Sequence, residues 1–323
     1  MAALGIGLPA PELAVLLARA SILADGAATD ELLQVAMRWG LAVSPREVAA
    51  ALAVCAGDNV GGCIENTQRH TTGLKALPPT LLLGGLELLA APCSREAHGR
   101  DAALAFPRAA AVVATLLPRD SEYAPRFGNV VVNGLVAAVG RGWADPSALA
   151  HLLAEAVAAG ACPEPAEAQA LLHGLSPEST RRGCLSAVLD TLAIAGSTLD
   201  IEGIASVLRL YAASFAADIR LPGSGETLGL QRILQATTPS EALMVGLDGP
   251  ALSLLAAAYV RLQDEEGTTA VLRHMRGRGL SLVPAAQAEV AVQLSRGGKV
   301  RWGVLQREVR AAQMRCCLPI VRA

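Results

Sequence analysis

Aromatic residues are scarce in this 323-residue chain, with three each of Phe, Trp and Tyr, and lysine occurs only twice against twenty-five arginines. Few aromatics leave few surfaces on which exposed bases could stack. No Cys-x-x-Cys pair occurs, and the odd-numbered, dispersed cysteines Cys55, Cys63, Cys93, Cys162, Cys184, Cys316 and Cys317 read as reduced, buried small hydrophobes, not as a zinc or redox site. The five histidines, His70, His98, His151, His173 and His274, form neither His-x-His nor His-Glu-x-x-His, so no metal site is expected. The glycine-rich run Gly223 to Gly229 has no phosphate-loop lysine, and no Gly-x-Ser-x-Gly elbow exists. Neither catalytic residues nor a cofactor is therefore expected, and no small-molecule substrate. Apolar runs are cut by Glu12 and Arg19, by Glu87, and by Pro107-Arg108, so none reaches the length that crosses a bilayer and no membrane insertion is expected. Before Arg38 the only arginine is Arg19, which predicts neither a basic signal-peptide start nor an Arg-rich transit peptide in these residues.

What the chain has in quantity is alanine and leucine. The hydrophobic fraction is 52%, dominated by these two residues, which cost least in a helix. They recur at helical spacing: Leu13, Leu16, Leu17 and Ala20; Leu32, Leu33, Ala36 and Met37; Leu149, Leu152, Leu153 and Ala156; Leu185, Val188, Leu189 and Leu192. Each set predicts one buried face of a short helix. Ser44-Pro45-Arg46-Glu47 and Thr238-Pro239-Ser240-Glu241 have the form of capping boxes with proline in the first helical position, and Asp145-Pro146 has the same form without the glutamate. Gly40, Gly160 and Gly279 follow the last apolar residue of a helix, where a left-handed cap is wanted. These signals predict helices of three to four turns. The β-branched run Val130 to Val132 leads into Gly134-Leu135-Val136-Ala137-Ala138 and reads as a helix entry. Gly57 to Lys75, Pro118 to Gly128 and Leu221 to Gly229 read as loops between blocks of helices.

Pro250 to Pro284 reads as two helices separated by a short charged turn, and the pattern restarts so that Leu294 stands where Tyr259 stood thirty-five residues earlier. A helical-hairpin period of that length predicts an all-α solenoid. The Leu-x-x-Leu-x-x-x-Tyr first helix, the second helix ending in His274-Met275, and then Gly279 and Pro284 resemble a pentatricopeptide repeat. Asn133 to Pro163, Leu13 to Pro45 and Cys184 to Tyr211 are further matches, together covering about half the chain. The resemblance implies a superhelix of helix-turn-helix hairpins, related to tetratricopeptide arrays, that binds single-stranded RNA in an organelle, with mitochondria the expected compartment. Three blocks are expected: residues 1–117, 118–220 and 221–323, the last with tandem units at 250–284 and 285–319.

In the family, polar side chains early in each first helix select bases. Here those positions hold Leu254, and Gly134 beside Asn133, so phosphate contacts are expected to dominate over base readout. Charge agrees with a local phosphate surface. Residues 261–323 contain eleven Lys or Arg against five Asp or Glu, a net of +6, which against −2 for the whole chain leaves −8 for residues 1–260. The candidate RNA contacts are Arg261, Arg273, Arg276, Arg278, Arg296, Lys299 and Arg301, with Asn133 as a polar contact. Tyr259 and Trp302 lie nearby at core positions and are expected to pack. The expected role is a non-catalytic component of an RNA-containing assembly, such as a mitochondrial ribosome or RNA-processing complex, touching RNA and neighbouring protein subunits. The rival is a helical-repeat adaptor with no nucleic-acid role.

Overall fold

A computed structural model describes residues 10–23, 25–57, 71–91, 99–118, 121–176, 183–215, 241–261, 264–284, 286–287 and 290. Among these residues all regular structure is helical, as the Ala/Leu periodicity predicts. The chain divides into two compact units, Met1–Pro163 and Glu164–Ala323.

The first unit holds α1 (Ala10–Ile22), α2 (Gly26–Arg38), α3 (Pro45–Gly57), the single turn α4 (Thr72–Lys75), α5 (Pro79–Ala90), α6 (Gly99–Leu116), α7 (Ala124–Gly140) and α8 (Pro146–Ala158). The odd helices pack in succession, α1 on α3, α3 on α5 and α5 on α7, while α2 meets α4 and α6 meets α8. Small residues set these approaches. Gly85 of α5 lies against Val48 and Ala49 of α3, Gly128 of α7 against the Ala156 carbonyl of α8, and Gly134 of α7 against the Phe106 ring of α6. The layer between them is fully buried at Leu52, Leu83, Phe106, Val131 and Leu135. Asp30 is a buried carboxylate that no sequence signal marked. It accepts hydrogen bonds from the Gly73 amide at 2.6 Å and from Gln34 at 2.9 Å, which ties the start of α4 to α2.

The second unit holds α9 (Pro165–His173), α10 (Cys184–Ile194), α11 (Ile201–Phe215), α12 (Glu241–Gly246), α13 (Gly249–Arg261) and α14 (Glu265–Gly277). Here α9 packs on α11, α11 on α13, and α13 on α14. Cys184 is buried at the start of α10 as expected, whereas Cys162, in the turn two residues past a helix-closing glycine, is exposed, contrary to the expectation of burial.

The hairpins are cut to one pattern. A displacement of 239 residues carries α1 onto α13 and α2 onto α14 without insertion. Asp25 and Asp264 cap α2 and α14, accepting from the amides of Ala28 and Gly267, both at 2.9 Å. Four residues on, the buried hydroxyls of Thr29 and Thr268 donate back to the carbonyls of those same aspartates, at 2.7 and 2.6 Å. Asp145 caps α8 likewise, reaching the amides of Ser147 and Ala148.

The second helices also end alike. Gly40, Gly160, Gly196 and Gly279 have φ of 65°, 95°, 72° and 68°, and after each the next amide bonds back to a buried residue of the last turn: Leu41 to Ala36, Ala161 to Ala156, Ser197 to Leu192 and Leu280 to Met275. These are Schellman caps, which satisfy carbonyls the helix itself leaves open. In three of the four, a proline follows five residues after the glycine, at Pro45, Pro165 and Pro284.

Two sequence expectations change. The segment expected to loop from Pro118 to Gly128 is helical from Ala124, because Pro125 falls in the first turn of α7, where its missing N–H costs nothing. Within the expected loop from Gly57 to Lys75, residues 72–75 form α4. The loop at Leu221–Gly229 and the cap at Thr238 to Ser240 lie outside the described residues, with Glu241 opening α12.

Candidate nucleic-acid interface

The α13–α14 hairpin carries most of the described candidate contacts. Its helices run antiparallel: the Ser253 hydroxyl near the start of α13 receives the Val283 amide beyond the end of α14, and Tyr259 near the end of α13 lies against Gly267 at the start of α14. Thr268, Val271, Leu272 and Met275 form the buried side of α14, which leaves Arg273 and Arg276 exposed, one turn apart. Arg278 follows at the helix end, also exposed, and its guanidinium donates to the Leu247 carbonyl at 3.3 Å. Charge along α14 is polarised, with Glu265 and Glu266 in its first turn and His274 and Arg276 in its last. That order complements the helix dipole and concentrates cations at one end of the hairpin.

The structure brings Arg273, Arg276 and Arg278 together but not Arg261. The Arg261 backbone closes α13 at the turn end, beside the acidic start of α14, roughly one helix length of ~18 Å from the arginine end. Arg296, Lys299 and Arg301 lie outside the described residues, as do Trp302 and nearly all of the expected 285–319 unit. Asn133 is exposed on α7, in the other compact unit.

The early first-helix positions face inward. Leu254 is 6% exposed, and Gly134 is buried under the Phe106 ring. Neither can present an edge to a base. Tyr259 packs as expected, at 2% exposure. Its hydroxyl is buried with no hydrogen-bond partner among the described residues, and burial, then the Asp264 carboxylate, pushes its pKa up to about 12.

Among the described residues no three His, Cys, Asp or Glu side chains converge as metal ligands do, and no helix is long and apolar enough to cross a membrane. One feature escaped sequence reading: an open groove of about 710 Å³ between the start of α11 and α12. Its lining comes from residues 199–209 and 243–248, too far apart for any local pattern to join. No family model matches the chain, and neither a curated protein nor a solved structure proves similar to it.

Proposed function

We propose that this chain is a non-catalytic, pentatricopeptide-like component of an organellar RNA-containing assembly, such as a mitochondrial ribosome or RNA-processing complex. In this proposal it touches RNA through phosphates at the arginine end of α14 and neighbouring proteins through its other helical surfaces. The repeat units form an α-solenoid of helix-turn-helix hairpins. Support for that architecture comes from the odd-on-odd packing within each unit, the hairpins that match at a displacement of 239 residues, and the recurring aspartate and glycine caps.

The observation that carries the RNA half of the proposal is the exposed trio Arg273, Arg276 and Arg278 at one end of a polarised hairpin. Guanidinium groups in such a cluster suit phosphate oxygens through paired N–H donors. The compartment and the assembly follow from the family resemblance. A purely protein-binding adaptor is the second reading, favoured by the open groove between α11 and α12, whose lining carries Asp200, Glu202 and Asp248.

Recovery of the tagged protein from fractionated cells, with and without ribonuclease, separates the two. Ribosomal or RNA-processing proteins retained in an organelle fraction and released by ribonuclease support the proposal. A ribonuclease-resistant complex without RNA-associated partners rejects it in favour of the adaptor.

A further inference from the structure

The groove beside α11 combines an apolar interior with an acidic rim. Ile204, Leu243 and Leu247 are buried at its base, between 2% and 4% exposed, and Leu199 and Ile201 form its wall. Ile201 is 41% exposed, and Val245, next to the groove on α12, is 61% exposed. Large side chains left open to water beside a ready-made depression mark a surface that gains from being covered. The ionisable groups of its described lining are the carboxylates of Asp200, Glu202 and Asp248 and the guanidinium of Arg209.

The rim decides what can cover it. Asp200, Glu202 and Asp248 are all exposed there, against Arg209 in the lining and Arg278, whose guanidinium reaches the Leu247 carbonyl at the groove edge, for a formal balance of −1. Two of these carboxylates already serve helix starts: Asp200 accepts from the Gly203 amide at 2.7 Å and Asp248 from the Ala251 amide at 2.8 Å. The positive ends of α11 and α13 are thus occupied by the chain's own carboxylates and closed to an incoming anion. Arg209 approaches Asp248 only to 3.7 Å, with both side chains more than half exposed, so it neutralises little of the rim. A phosphate backbone would meet net repulsion. An apolar side chain flanked by lysine or arginine would meet both the base and the rim on favourable terms.

We propose that this groove docks a cationic, amphipathic segment of a partner protein, with an apolar anchor seated against Leu199 and Ile201 above the buried Ile204, Leu243 and Leu247, and flanking cations on Asp200, Glu202 and Asp248. Segments of this kind pair a hydrophobic face with a groove while the surrounding charges set orientation and choice of partner. The assignment stands on the groove alone and holds whether or not the end of α14 meets RNA.

The test titrates the full chain with a fluorescent peptide alternating Leu with Lys, and with its counterpart carrying Glu for every Lys. The expected result is binding of the Lys peptide only. The triple variant D200N/E202Q/D248N keeps side chains able to cap both helices while removing the charge, and should weaken binding about tenfold with helix content and thermal midpoint unchanged. Ile201→Asp adds a negative charge, so a loss of affinity in that variant reports the apolar contact specifically. Equal binding of the two peptides, or undiminished affinity in the triple variant, overturns the proposal. A dimer of the chain that Ile201→Asp dissociates also overturns it, because the groove then belongs to a second copy.

Discussion

Two side chains show how tightly local choices are constrained. Gly134 sits mid-helix, where alanine would ordinarily stabilise by up to about 1 kcal/mol. A Cβ there would overlap the Cζ tip of the Phe106 ring, which is fully buried. Overpacking of that kind costs about 1–3 kcal/mol or more and outweighs the propensity gain, so Gly134→Ala should lower the urea midpoint. A midpoint that rises would mean that α6 and α7 are not in this contact. Tyr259 makes the opposite case. Its ring packs while its hydroxyl is orphaned, so Tyr259→Phe should be neutral or stabilising at pH 7. Because the folded-state pKa is raised above the ordinary 10, the folded protein favours the protonated phenol. That preference is complete below about pH 10 and is lost as pH climbs towards 12. Unfolding monitored across that window should show the wild type losing roughly 2 kcal/mol more than Tyr259→Phe.

Element ends were the most legible part of the sequence. The left-handed glycines at positions 40, 160 and 279 and the aspartate cap before Pro146 stand where the sequence places them, because each depends on a few consecutive residues. Gly196 and Gly142 escaped notice, although their φ values of 72° and 89° put them in the same class. Around Gly196 the following proline is replaced by Ile201, which removes half of the signal. The valines 130–132 are helical despite their β-branching, since they lie in the middle of α7 and bury themselves between neighbours. Close approaches and grooves were not legible. Gly134 against Phe106, Asp30 against Gly73, and the acidic groove each join segments about 28 residues or more apart, so only tertiary packing reveals them. A cap substitution tests the recurring helix end. A Cβ on Gly279 would meet nothing within 4 Å, so Gly279→Ala costs only the backbone strain of positive φ, about 1 kcal/mol, and Gly279→Asn should recover part of it in thermal unfolding.

Across the whole chain, charge is distributed unevenly. The stretch from residue 261 onward carries a net +6 and the remainder −8. Within the second unit, the groove beside α11, rimmed by Asp200, Glu202 and Asp248, adjoins the arginine end of α14, where Arg278 donates to the Leu247 carbonyl of the groove lining. The proposed contacts with a cationic segment and with phosphate would then lie side by side at this end of the hairpin. With Leu254 and Gly134 buried, the proposed RNA contact should vary little in affinity with base sequence.

The most direct test of RNA contact is the affinity of the full chain for single-stranded RNA as a function of salt, compared with the variant R273A/R276A/R278A. If each arginine neutralises one phosphate, the variant should bind more weakly at low salt, and its logarithmic salt slope should be shallower by about 2. RNA binding that is absent, or that has the same slope in both proteins, would contradict the proposed phosphate contact at the end of α14.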